Sequence, residues 1–147
     1  FDQIDGITYE IDVSKDKGSR IVNLSLNGKA IDLKADFIVV TNNYRASGGG
    51  GFAGLDGSQI VVDSGGDANR DIIVNYVKEQ KTLTLAKQGP VANWRFAKVK
   101  TAGKVLFESS ADASALSVAN QEKITNIALE STKADKSASV FSIDLSK

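Results

Sequence analysis

The chain has 147 residues, 41% of them apolar and 24% charged, with 18 basic side chains against 18 acidic ones. That size suits one globular domain with its own core, and the zero net charge without a Lys/Arg cluster speaks against a nucleic-acid polymer as partner. Cysteine and histidine are absent, which excludes thiolate or imidazole zinc sites, Ser-His-Asp triads and Cys-His pairs, and no run of 18 apolar residues or basic amphipathic segment suggests membrane insertion.

Phe1 is not an initiator methionine and Asp2-Gln3-Ile4-Asp5 is no signal peptide, so the chain is expected to be a fragment of a longer precursor. Ile7 to Val13 alternates apolar and polar at period two, which predicts a half-buried strand with Ile7, Tyr9, Ile11 and Val13 facing the core. Arg20 to Leu26 repeats the pattern and runs into Asn27-Gly28, a pair that tolerates the positive φ of a type I′ hairpin turn. Its return arm is Lys29 to Leu33. Phe37-Ile38-Val39-Val40 reads as a strand buried on both faces, delivering Asn42, Asn43 and Tyr44 to its C-terminal edge.

Gly48 to Gly51 follow, and Gln59 to Val62 reads as a short strand ahead of the turn Asp63-Ser64-Gly65-Gly66-Asp67. Asn69 to Lys81 sets Ile72, Ile73, Tyr76 and Val77 on one helical face, with Asp67 or Asn69 able to cap it. Thr82 to Leu85 reads as a strand, and Gly89-Pro90 interrupts the chain before a strand around Asn93 to Val99. Lys104 to Ser109 predicts a strand, Asp112 to Asn120 a short helix, and Ile124 to Thr132 and Ser139 to Leu145 two strands joined by a polar turn at Lys133 to Lys136. Strands and helices without regular βαβ alternation give an α+β fold of mixed sheets with a few helices.

Four consecutive glycines, Gly48 to Gly51, cost much backbone entropy, so a fold that keeps them needs positive φ or close backbone approach. Successive N–H groups there could cradle an anion. The Lys-Ser/Thr of a P-loop and the dinucleotide G-x-G-x-x-G are both missing, so the loop is equally a turn between strands. Tyr44, flanked by Asn42, Asn43 and Arg45, suits a nucleobase, because any base has a π-face to stack on an aromatic; it also fits a core tyrosine with a satisfied hydroxyl. Trp94 reads as packing. Asp63, Asp67 and Asp71 lack the calcium-hand pattern and read as turn and cap residues, and no metal-binding residue is assigned.

At Tyr9-Glu10-Ile11-Asp12, Asn27-Gly28-Lys29, Thr41-Asn42-Asn43-Tyr44-Arg45-Ala46 with its glycines, and Asn93-Trp94-Arg95, the sequence resembles the C-terminal domain of the 5′-nucleotidase superfamily. The likeness runs in order from Phe1 to about Arg95, and more loosely to Asp144-Leu145-Ser146-Lys147. Within the superfamily it is strongest for the bacterial branch that joins 2′,3′-cyclic-nucleotide 2′-phosphodiesterase and 3′-nucleotidase activities.

The resemblance implies that residues 1–147 are one C-terminal substrate-binding domain of a periplasmic, extracellular or cell-surface enzyme. Its partners would be a nucleoside or nucleotide and its own N-terminal metallophosphoesterase domain, which holds two divalent metal ions and the catalytic residues. No catalytic residue is then expected here, and the fragment alone should be inactive. Carried over, the second of two base-stacking rings is Tyr44, with Asn43 before it and Gly48 and Gly49 shaping the pocket; Asn42, Arg45 and Gly50 are further candidates. The first ring would lie upstream of Phe1. Many 5′-nucleotidases have Gly-Gly-Asp after the aromatic where this chain has Gly48-Gly49-Gly50, so no carboxylate stands at that point. The competing expectation is an inherited fold that serves as a structural or interaction domain without binding a ligand.

Overall fold

In the computed structural model, which describes residues 2–63, 65–66, 68–112 and 114–147, the elements run in chain order. They are β1 (Thr8–Ile11), β2 (Ile21–Leu26), β3 (Lys29–Ala30), α1 (Asn43–Ala46), α2 (Asn69–Gln80), α3 (Leu85–Gln88), β4 (Trp94–Phe96), β5 (Val105–Ser109), α4 (Ser114–Gln121), β6 (Ile127–Thr132) and β7 (Ser139–Ile143). They fall into two compact units, one made of Phe1–Ile31 with Val91–Lys147, the other of Asp32–Pro90. The fold class is α+β, as the pattern of elements predicts.

The first unit holds both sheets. In one, ordered β3-β2-β1-β4, the predicted alternation puts Tyr9 and Ile11 in the core. The hairpin turns at Asn27-Gly28 with φ of 52° and 75°, the left-handed pair that a type I′ turn demands. Its return arm is shorter than the pattern suggests: the strand ends at Ala30, and the last cross-strand bond runs from the Ile31 N–H to the Leu24 carbonyl. β4 joins β1 in parallel, setting Tyr9 opposite Trp94 and Ile11 opposite Phe96. The second sheet is antiparallel, ordered β5-β7-β6, and buries Phe141 and Ser139; Phe107 stacks on Phe141 with ring centroids 5.5 Å apart.

Asn93 ties the N-terminal segment to the first sheet. Its buried amide donates to the carbonyls of Ile4 at 2.6 Å and Ile7 at 2.9 Å, while its Oδ1 accepts from Gln3 Nε2 at 2.7 Å. The backbone carbonyl of the same residue accepts from the Tyr9 N–H. A buried amide is stable only when its donors and acceptor are met, and here they are.

The second unit departs from the expectations at three places. Phe37 to Val40 and Gln59 to Val62 form no strand, and Ile38 and Val40 are 85% and 95% exposed. A β-branched run sets a backbone preference, but a central strand also needs a hydrogen-bonding neighbour on each edge. No segment pairs with either run among the described residues. Thr82 to Leu85 is not a strand either: Thr84 caps α3, its N–H bonded to Gln88 Oε1 at 2.8 Å while its carbonyl accepts the Gln88 N–H. The Gln88 side chain reaching back to the N-cap N–H is one half of a capping box, and with the helical bond it outweighs an alternation only two repeats long.

α2 forms where its periodicity places it, yet Ile72, Ile73, Tyr76 and Val77 remain 41–61% exposed. The cap proposed at Asp67, like the turn residue Ser64, lies outside the described residues. Asn69 is the first helical residue rather than the cap, which is Ala68 without a side-chain bond.

Candidate functional site

The segment that opens the glycine loop is a single helical turn closed at both ends. At its start, the Asn42 side chain accepts the Arg45 N–H at 2.9 Å, the ordinary N-cap bond. At its end, the Gly48 N–H bonds to the Arg45 carbonyl at 3.1 Å and the Gly49 N–H to the Tyr44 carbonyl at 2.8 Å. That pair of bonds is the Schellman motif, and it sets Gly48 at the left-handed position with φ of 97°. Asn43 and Tyr44 therefore ride on a fixed turn and not on the end of a buried strand.

The structure corrects the core alternative for Tyr44, since its side chain is 63% exposed. Gly49 lies so close that a Cβ there would come within 2.5 Å of the Tyr44 carbonyl oxygen and 2.6 Å of the ring. Arg45 reaches back over the loop: Nη1 donates to the Gly49 carbonyl at 3.0 Å, and the guanidinium carbon sits 5.3 Å from the Tyr44 centroid and 5.0 Å from that of Phe52. A Cβ on Gly50, whose φ is 86°, would collide with Arg45 Nη1. Beyond the loop, the Ser58 hydroxyl and backbone N–H hold the Asp56 carboxyl below its ordinary range.

The turn thus brings Asn43, Tyr44, Arg45, Gly48, Gly49 and Gly50 together as the sequence suggests. The Asn42 oxygen is committed to the cap. Phe52, which carried no role in the sequence reading, joins the cluster through the guanidinium. Gly48 to Gly51 separate it from Tyr44 and break any helical or strand period, so only the folded loop reveals that link.

Other sequence candidates have local partners of their own. Trp94 is half-buried and meets Phe96 edge-on at 5.6 Å, as a packing residue does. Asp63 accepts the Gly65 N–H, and Asp71 pairs with Arg70 in the first turn of α2, while Asp67 lies outside the described residues. Among the described residues no group of three or more His, Cys, Asp or Glu could hold a metal ion. Glu10 accepts from Arg95 and, at 2.6 Å, from Asn23, and these bonds hold its carboxyl below the ordinary value. It lines a cavity of about 490 Å³ with Arg95, Phe96, Lys98, Asn126 and Leu145. A concavity of about 400 Å³ lies along α2. Neither includes Tyr44, whose exposed ring offers a platform and not an enclosed pocket.

Residues 1–57, which contain this whole cluster, match the family model for the 5′-nucleotidase C-terminal domain. The chain is 34% identical to the 2′,3′-cyclic-nucleotide 2′-phosphodiesterase/3′-nucleotidase of Salmonella typhimurium and 37% identical to that of Yersinia enterocolitica. Both alignments cover 100% of this chain, and respectively 25% and 24% of the relative. It is 43% identical to the trifunctional nucleotide phosphoesterase protein YfkN of Bacillus subtilis over 75% of this chain and 8% of that protein. Residues 1–57 therefore belong to the 5′-nucleotidase C-terminal domain family, and the chain as a whole is similar to these relatives. It spans a quarter or less of the length of these relatives. No solved structure matches it. No helix among the described residues is long and apolar enough to cross a membrane.

Proposed function

We propose that the chain is the nucleoside-recognition domain of a secreted, metal-dependent nucleotide phosphohydrolase, with Tyr44 as the ring on which the base stacks. The observation that carries this reading is a 63% exposed aromatic on a turn capped at both ends, inside the segment that matches the family. The relatives' names, which describe nucleotide phosphoesterases, point to the same substrate class. An exposed ring held in place loses little further freedom when a flat ligand settles on it. Asn43, the residue before Tyr44, reads the base edge, and Gly48 and Gly49 let the backbone pass close. Two divalent metal ions and the hydrolytic step belong to a separate N-terminal metallophosphoesterase domain, and this chain alone is inactive. The compartment is the periplasm or the cell exterior.

The test is a titration of 3′-AMP and adenosine against the full-length protein and its Tyr44→Ala variant. Loss of one stacking ring removes about 1–3 kcal/mol, so KM should rise roughly five- to a hundredfold. An unchanged KM together with unchanged turnover would end the assignment.

A second reading, a domain that keeps the family fold without binding a ligand, is favoured by Gly50. The guanidinium of Arg45 fills the space that a side chain at that position would need. This reading requires equal efficiency on nucleotides and on p-nitrophenyl phosphate esters. A marked preference for nucleotides removes it.

A further inference from the structure

We infer that Arg45 is a positioning residue that fixes the Tyr44 ring and covers one of its two faces, so that a flat ligand reaches the ring from the opposite side only. The inference rests on the base-stacking role given to Tyr44 above and adds how that ring is held. Its guanidinium lies over the Tyr44 ring at 5.3 Å and over the Phe52 ring at 5.0 Å. The same group donates through Nη1 to the Gly49 carbonyl at 3.0 Å. The backbone is shaped around it, since Gly50 leaves the room that Nη1 occupies and Gly49 leaves the room for the Tyr44 ring.

Only arginine combines these contacts. A guanidinium is planar, so it lies flat on aromatic faces while donating to a carbonyl in its own plane; a lysine ammonium is a point charge that makes one contact at the expense of the other. With one face covered, the platform presents a single surface. A tyrosine exposed to solvent otherwise samples several rotamers, and a ring already held gives up less on binding.

The experiment is a double-variant cycle in the full-length protein with 3′-AMP as substrate, reading KM and kcat separately for Tyr44→Ala, Arg45→Met, Arg45→Lys and the Tyr44→Ala/Arg45→Met pair. Exposed cation–π contacts are worth enough to raise KM roughly two- to fivefold in Arg45→Met with kcat unchanged. Arg45→Lys, which keeps the charge, should fall between that variant and the parent, and it supplies the measurement if Arg45→Met fails to fold. In the Tyr44→Ala background the Arg45 change should add nothing, because the ring through which it acts is gone. Effects that multiply in the pair would show that Arg45 acts on the ligand or elsewhere, and would overturn the inference. So would a Tyr44→Ala variant with raised KM beside unaltered Arg45 variants. A Tyr44→Ala variant without any change in KM would instead remove the base-stacking role itself.

Discussion

The two units are held together in different ways. Residues of the first are fixed by pairing between distant segments, as when the buried Asn93 amide closes on Gln3, Ile4 and Ile7. The turn that opens the glycine loop of the second is closed by local bonds, from the Asn42 cap to the Gly49 N–H. Stability in the first is therefore a matter of long-range satisfaction of polar groups. Geometry at the candidate site is a matter of local backbone chemistry, and the two should respond to mutation independently.

The sharpest way to break that contrast is at Asn93. Asn93→Ala takes the partner from the part-buried carbonyls of Ile4 and Ile7 and leaves the Gln3 amide only the Val91 carbonyl, which should cost about 3 kcal/mol in urea unfolding of the chain. The bonds of the Asn42–Gly49 turn should be untouched, so amide hydrogen exchange at Gly48 and Gly49 should change only as far as global unfolding does. Loss of their protection ahead of β5 to β7 would mean that the two regions are coupled.

A smaller effect is expected from the other side of the comparison. Gly49→Ala drives a Cβ to 2.5 Å from the Tyr44 carbonyl oxygen, and relieving such a clash typically costs about 1–3 kcal/mol. Hydrogen exchange should show that cost as faster opening of the turn, with protection in β5, β6 and β7 preserved. A uniform fall across both regions would contradict a locally held site.

The least effect concerns Glu10. Its carboxyl is held below the ordinary value first by the Arg95 bond and then by that from Asn23. A depressed folded value means that the stabilisation is present above the unfolded pKa and is lost as pH falls through the folded one. Glu10→Gln should therefore flatten part of the acid limb of stability against pH, below the ordinary carboxylate range, and leave the neutral region shifted but level. Asp12, Asp135 and Asp144 are lowered too, by bonds from Ser14, Ser137 and Ser146, so some acid sensitivity should persist in the variant.

The same division decides what was legible in the sequence. Alternation at Tyr9 and Ile11, the turn at Asn27-Gly28 and the periodicity of α2 are local signals with local consequences, and each element formed where its pattern lies. The run Phe37 to Val40 misled because its pattern specifies apolar character but not a neighbouring strand. Nothing local in Asn93 announced that its amide would serve three residues near the N-terminus. The candidate residues Asn43 to Gly50 were chosen from the sequence, while the turn that carries them was not legible there. The spacing from Asn42 to Gly48 fits a capped turn, but the preceding β-branched run argued for a strand end. The meeting of Arg45 with Phe52 appears only once the loop has closed.

The parallel pairing of β1 with β4 has a consequence for how the chain is made. Glu10 and Arg95 are 85 residues apart, and the Tyr9 N–H and the Ile11 carbonyl find their partners only at Asn93 and Ala97. At a synthesis rate of roughly 5–20 residues per second, β1 stands for about 4–17 s on the ribosome with that edge open. An open strand edge is a template for pairing with another chain. A nascent chain that stalls before Asn93 therefore exposes a half-finished sheet, and the interval between these two strands is when the protein most needs a chaperone.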